Sequence, residues 1–160
     1  SGPLREKLGS LKKYDAVFLK NNNNVLDKII ETIKNLNPLI KIFITGYAAL
    51  SLNKFDLLNK YLFFSGIGNP NSFKNILLKE NFLIVDEIIY PDHYNYSEVE
   101  INKILEKAKK LNAKIITTEK DYVKIPKKYQ RDIDFLEIDL KIMDEDKLIN
   151  FLKLKLNEKY

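Results

Sequence analysis

The sequence predicts an α/β fold: a parallel sheet in a three-layer α/β/α (Rossmann-like) domain over residues 56–160, preceded by part of another unit over 1–55. Three observations predict it. Short apolar runs recur, YLFFS at 61–65, FLIVDEIIY at 82–90, KIIT at 114–117 and FLEIDL at 135–140. A helical pattern or turn follows each run, and parallel neighbours need such a crossover. Two of the runs also end in polar, backbone-distorting loops, SGIGNP at 65–70 and PDHY at 91–94. In open parallel sheets, ligands bind at the carboxyl ends of the strands.

The elements follow in order. Residues 4–8, LREKL, begin an amphipathic pattern, and 14–19, YDAVFL, read as a strand. Asn21–Asn24 is a turn-favouring, low-complexity loop. Apolar residues at 25, 26, 29, 30, 33 and 36 have helical spacing, and Pro38 follows as a stop. Residues 40–45 form a strand and 46–54 a connection, with the unit boundary near 55. After strand 61–65 comes helix 70–80, with Phe73, Ile76 and Leu77 on one face. Strand 82–90 leads to helix 97–111, whose Ser97 and Glu100 have the spacing of a capping box. Val99, Ile101, Ile104, Leu105 and Ala108 face inward. Strand 114–117 leads to a short turn closed by Pro126. Strand 135–140 leads to helix 144–156, with Leu148, Phe151, Leu152 and Leu156 inward.

Composition narrows the function classes. Apolar residues make up 45%, enough for a real core. The absence of cysteine excludes disulfides and thiolate metal sites, and a single histidine argues against zinc. No apolar run reaches the about 18 residues of a membrane span. The 27 basic residues exceed the 22 acidic ones, but only Arg5 and Arg131 are arginine. The lysines are scattered among Ile, Asn and Glu, without the arginine forks of groove readout. We therefore expect no nucleic-acid partner.

Three strand ends carry the candidates, and a parallel sheet brings all three to one edge. In Gly66-Ile67-Gly68-Asn69-Pro70 the glycines permit positive φ and close backbone approach, and the following helix offers N–H groups to an anion. Alone, the segment reads first as a tight structural turn and second as an anion site. It lacks the third glycine of a dinucleotide fingerprint, and no Gly-Lys-Ser or Gly-Lys-Thr occurs in the chain. Asp92-His93 holds the chain's one histidine, which reads either as a structural residue or as a general base. Thr117-Thr118-Glu119-Lys120-Asp121 reads either as a capped, solvated turn or as a phosphate-placing loop. No second histidine completes a nucleophile triad.

Together, GPLRE at 2–6, YDAVFL at 14–19, FSGIGNPNSF at 64–73, YPDHYNYS at 90–97 and TTEKDYVKI at 117–125 resemble the tetraacyldisaccharide 4′-kinases of lipid A biosynthesis. Their order and spacing match the second half of that family over nearly the whole chain. The resemblance implies transfer of the γ-phosphate of ATP, with Mg2+, to the 4′-hydroxyl of an acylated disaccharide 1-phosphate. It implies work at the cytoplasmic face of a Gram-negative inner membrane. It also implies two α/β/α units joined by a short β linker, with residues 1–55 the tail of the P-loop kinase domain plus linker. The phosphate loop, the magnesium acids and the anionic-membrane contact are then expected in a first half outside this chain. The resemblance makes His93 a catalytic residue that partners an aspartate of that first half. It puts Arg5 and Glu6 near the nucleotide. With them we expect Asp92, Gly66, Gly68 and Asn69 to be nucleotide- or substrate-binding residues. The rival reading is a stand-alone Rossmann-like binding module without catalysis.

Overall fold

The computed structural model describes residues 6–21 and 25–157. They form two compact units: Ala48–Asp139 is one, and the described chain on either side of it is the other. The stretch from Leu140 onward, expected within the 56–160 domain, therefore belongs with the N-terminal portion. The reason is a break at Glu137. The apolar run 135–140 is two strands, Asp134–Leu136 and Ile138–Ile142, and they pair in different sheets.

In chain order the strands are β1 (Ala16–Lys20), β2 (Lys41–Ala49), β3 (Lys60–Ser65), β4 (Leu83–Ile89), β5 (Lys114–Thr118), β6 (Asp134–Leu136) and β7 (Ile138–Ile142). The α-helices are α1 (Leu26–Leu36), α2 (Pro70–Lys79), α3 (Glu98–Leu111), α4 (Glu119–Tyr122), α5 (Lys127–Gln130) and α6 (Glu145–Asn157). Short 3-10 turns occupy Leu8–Lys13 and Leu52–Lys54. Residues 46–49, expected as a connection, extend β2.

The Ala48–Asp139 unit is built on a four-stranded sheet in the order β4-β3-β5-β6, and every pair is parallel. Central β3 is apolar throughout because both of its faces are covered. Leu62 and Phe64 pack with Ile101, Ile104 and Ala108 of α3. Tyr61 and Phe63 pack on the other face with Phe73 and Leu77 of α2. Tyr61 through Phe64 are each fully buried, and every such side chain contributes roughly 1.5–3 kcal/mol, an upper estimate. The three-layer α/β/α arrangement is thus observed. Val99, expected inward on α3, is exposed at the first turn of the helix.

Helix ends follow local rules. The Ser97 hydroxyl accepts the Glu100 N–H at 3.3 Å, and a Glu100 carboxylate oxygen accepts the Ser97 N–H at 2.8 Å, the reciprocal box that the sequence predicts. Asn112, in the left-handed region at φ 49°, closes α3. The connection through α2 runs from β3 out to the edge strand β4, and the one through α3 returns past β3 to β5. The direction of winding therefore reverses between β3 and β5. That reversal opens a crevice at the carboxyl ends of the two strands.

In the other unit β1 and β2 are parallel, joined through α1. Phe18 lies opposite Phe43 in the register. Their rings are 5.6 Å apart, and Phe151 of α6 stands 5.6 Å from Phe43. The rest of α6 packs less than its pattern predicts: Leu152 and Leu156 are exposed. The chain passes between units in β2 and β7, which are neighbours in the three-stranded sheet.

Candidate functional site at the carboxyl edge of the sheet

Backbone and side-chain bonds tie three strand ends together. Past the end of β4, Tyr90 N–H donates to the Ser65 carbonyl at 2.8 Å, and His93 N–H donates to the Gly66 carbonyl at 3.0 Å. From β5, the Thr117 hydroxyl donates to the Phe64 carbonyl at 2.7 Å. Tyr90, Tyr94 and Tyr96 wall the turn: the rings of Tyr90 and Tyr94 stack 4.7 Å apart, and Tyr96 meets both edge-on. Tyr94 also donates its hydroxyl to the Glu100 carboxylate.

His93 stands on this edge with its side chain 76% exposed, which removes it from the core. Its backbone lies in the left-handed region at φ 60°, where glycine or asparagine is the unstrained choice. Two acceptors hold its N–H there, the Gly66 carbonyl and, at 2.9 Å, the Asp92 carboxylate. The imidazole Nε2 is 3.8 Å from Asp92 Oδ2, and Lys120 Nζ is 3.3 Å from Asp92 Oδ1. Partial desolvation pushes the Asp92 pKa up. The bond and charge of Lys120, with the His93 N–H, outweigh that and hold it below the usual aspartate value. Asp92 is therefore ionised at neutral pH. A left-handed backbone at an exposed, polar, strand-end residue makes His93 a candidate functional residue.

The glycines serve close approach. Neither Gly66 nor Gly68 has positive φ. A Cβ on Gly66 would fall 2.9 Å from the Tyr96 hydroxyl, 3.0 Å from Tyr94 Cβ and 3.1 Å from the Pro91 carbonyl. One on Gly68 would stand 3.0 Å from Asp92 Oδ2. The first glycine lets the Pro91–Tyr96 segment pack against the turn, and the second makes room for the Asp92 carboxylate. Asn69 caps α2: its amide oxygen accepts the Ser72 N–H at 3.1 Å, and Pro70 has no N–H to offer.

Beneath the edge lies Asp121, fully buried. Its Oδ2 accepts the Gly66 N–H at 3.0 Å and the Thr118 hydroxyl at 2.8 Å, and its Oδ1 is 3.4 Å from Lys124 Nζ. Lys124 also donates to the Tyr94 carbonyl at 3.1 Å. A buried carboxylate needs such partners to stay charged. The Tyr96 hydroxyl is buried beside it without a hydrogen bond of good geometry. Burial first, then the Asp121 charge, push that phenol's pKa well up, so it stays protonated.

Gly66, Gly68, Asp92 and His93 are thus brought together, with Asn69 next to them in the chain. Glu6 belongs to the other unit. There the Tyr14 hydroxyl donates to it at 3.2 Å, and this bond, with the carboxylate charge, raises the Tyr14 pKa. Arg5 lies outside the described residues. Sequence reasoning left Lys120 and Asp121 without assigned roles. The signal for Asp121 was present: Thr118-Glu119-Lys120-Asp121 has the spacing of a capping box, and Thr118 does cap α4, accepting the Asp121 N–H at 3.2 Å. The signal for Lys120 was tertiary, since its partner Asp92 lies 28 residues away.

Comparison with known proteins adds relatives. A family model described as tetraacyldisaccharide-1-P 4′-kinase matches residues 1–157. A tetraacyldisaccharide 4′-kinase of Pelagibacter ubique (strain HTCC1062) is 45% identical over 159 residues, covering 99% of this chain and 50% of that protein. One of Rickettsia bellii (strain OSU 85-389) is 40% identical over 126 residues, 78% of this chain and 37% of that protein. Among solved structures, the "apo" form of LpxK from Aquifex aeolicus in complex with ATP superposes with a TM-score of 0.55 at 20% identity, over 94% of this chain and 45% of that one. The chain spans about half the length of the curated relatives it matches.

Proposed function

The chain belongs to the tetraacyldisaccharide-1-P 4′-kinase family, and from that premise we propose that it is the C-terminal part of an ATP-dependent lipid kinase. The reaction moves the γ-phosphoryl group of ATP to the 4′-hydroxyl of a tetraacyldisaccharide 1-phosphate in lipid A biosynthesis. The observation that carries the reading is the family match over residues 1–157, which takes in the whole strand-edge site.

Phosphoryl transfer depends on positioning and on charge stabilisation. In this reading His93 takes the proton from the attacking sugar hydroxyl. A carboxylate from the remaining half of the enzyme orients its ring. Asp92 and Lys120 set the charge around it, and the Gly66–Asn69 turn shapes the edge that meets substrate. Arg5 and Glu6 contact the nucleotide side. Among the described residues no three acidic or histidine groups converge. No phosphate-cradling Gly-Lys-Ser or Gly-Lys-Thr occurs in the sequence either. Magnesium and the triphosphate are assigned mainly to the remaining half, where the family resemblance implies the phosphate loop and the magnesium acids. No described helix is long and apolar enough to cross a membrane. Peripheral work at the cytoplasmic face of a Gram-negative inner membrane, through that other half, is part of the proposal and rests on the family resemblance.

The test is a hybrid. This chain, joined to the remaining half of the Pelagibacter ubique relative, is expected to transfer labelled γ-phosphate from ATP to a tetraacyldisaccharide 1-phosphate. A folded hybrid that transfers none, beside an active parent relative, overturns the proposal in favour of a binding module.

A further inference from the structure

Asp121 carries more bonds than holding the sheet together requires. Strand β5 is already tied to β3 by its ladder and by the bond from Thr117 to the Phe64 carbonyl. Asp121 instead takes the N–H of Gly66, a residue beyond the end of β3. The carbonyl of that same residue takes the His93 N–H. Gly66 is thereby clamped on both sides, by a buried carboxylate on one and by the strained histidine on the other. The carboxylate is itself fixed by Thr118 and Lys124. The bonds to Asp121 cross the point where the sheet reverses its winding, between β3 and β5.

We propose that Asp121 is a positioning residue for His93: acting through Gly66, it holds the histidine backbone in its left-handed conformation and so aims the exposed imidazole. The consequence for turnover rests on the reading of His93 as the general base, whereas the effect on the backbone does not. Asp121→Asn is the informative change. Asparagine keeps the shape but has one acceptor oxygen and no charge, whereas Asp121 serves Gly66 and Thr118 on one oxygen and Lys124 on the other. One side of the carboxylate site must then face an NH2 group, and the charge-assisted hold on Gly66 is lost. Thr117→Val serves as the comparison, because it removes a neighbouring bond between strands without touching Gly66.

The experiment has two arms. In the first, the 160-residue chain is examined by NMR for the strong intraresidue NH–Hα contact that marks positive φ at His93, together with amide exchange at Gly66 and His93. Asp121→Asn is expected to abolish the mark and speed both amides. Thr117→Val is expected to lower the melting temperature and leave the mark intact. In the second arm, the same changes are made in the hybrid kinase. Asp121→Asn is expected to lower kcat on the order of 10²-fold with the KM for ATP within about twofold, and Thr117→Val to leave kcat unchanged. A folded Asp121→Asn chain that keeps the His93 mark overturns the proposal. If that variant does not fold, Thr118→Ala decides: it removes the hydroxyl from the same carboxylate oxygen, so a weakened mark supports the link and an unchanged mark overturns it. A lost mark with an inactive parent hybrid would count against the kinase reading and leave the link between Asp121 and His93 standing.

Discussion

The Tyr96 hydroxyl occupies the space that a side chain on Gly66 would need, 2.9 Å from the position of its Cβ. Tyr94 and the Pro91 carbonyl crowd the same point. Tyr96 is buried against Phe64, their rings 5.3 Å apart, and has no room to retreat. Gly66→Ala is therefore expected to destabilise the chain by about 1–3 kcal/mol, the range for overpacking. Gly46, with nothing within 4 Å of its Cβ position and no positive φ, is the control. Gly46→Ala should be neutral or stabilising, by up to about 1 kcal/mol. Urea unfolding of both variants measures the difference.

His93→Gly separates the two possible roles of the histidine. The side chain is mostly exposed, so little packing is lost. The left-handed backbone suits glycine, and relief of strain of about 1–2 kcal/mol opposes the entropy that glycine loses on folding. The melting temperature should hold or rise. In the hybrid kinase, turnover should fall roughly 10²–10⁴-fold, the worth of general-base assistance. A stable variant with full turnover removes His93 from catalysis.

Acid should weaken the fold through carboxylates at the site. Glu100 is held below its usual pKa, first by the Tyr94 hydroxyl and then by the Ser97 hydroxyl and N–H. Asp92 is lowered as well. The unfolded chain, with ordinary values of 4.5 and 3.8 for these groups, binds protons before the native state does. Their contribution is complete above those values and fades as pH falls through the lowered native ones. Melting temperature should drop with acidification in that window. Glu100→Gln should start lower at neutral pH and show a flatter profile.

Arg5→Lys keeps the charge but loses the planar fork that meets a phosphate or carboxylate on two bonds. In the hybrid kinase it should reduce turnover or apparent ATP affinity. Parent-like values for both would make Arg5 ordinary surface.

The 160-residue chain alone is expected to turn over no ATP, because its sequence contains no phosphate-cradling Gly-Lys-Ser or Gly-Lys-Thr. Release of labelled phosphate that disappears in His93→Ala would contradict this.

What the sequence determined by itself is local or periodic. The unbroken apolar run at Tyr61–Phe64 announced a strand covered on both faces, since no alternation is left for solvent. Ser97 and Glu100 announced the start of α3, because a capping box needs residues three apart and nothing else. The strand–loop–helix alternation placed Gly66, Asp92 and His93 on one edge, since parallel strands share a direction. Tertiary structure decided the rest. The run at 135–140 looks like one strand, but its halves pair with different neighbours, and pairing partners are invisible to periodicity. Leu152 and Leu156 have core spacing yet remain exposed, because spacing defines a face without saying what covers it. The glycines of the turn permit either positive φ or close approach, and only the fold decides which. Positive φ falls to His93, held by Gly66 and Asp92, while Gly66 itself is needed for the approach of Tyr96. Asp121 acquired its place from Gly66, 55 residues away. A buried charge is tolerated only where the completed fold supplies its partners.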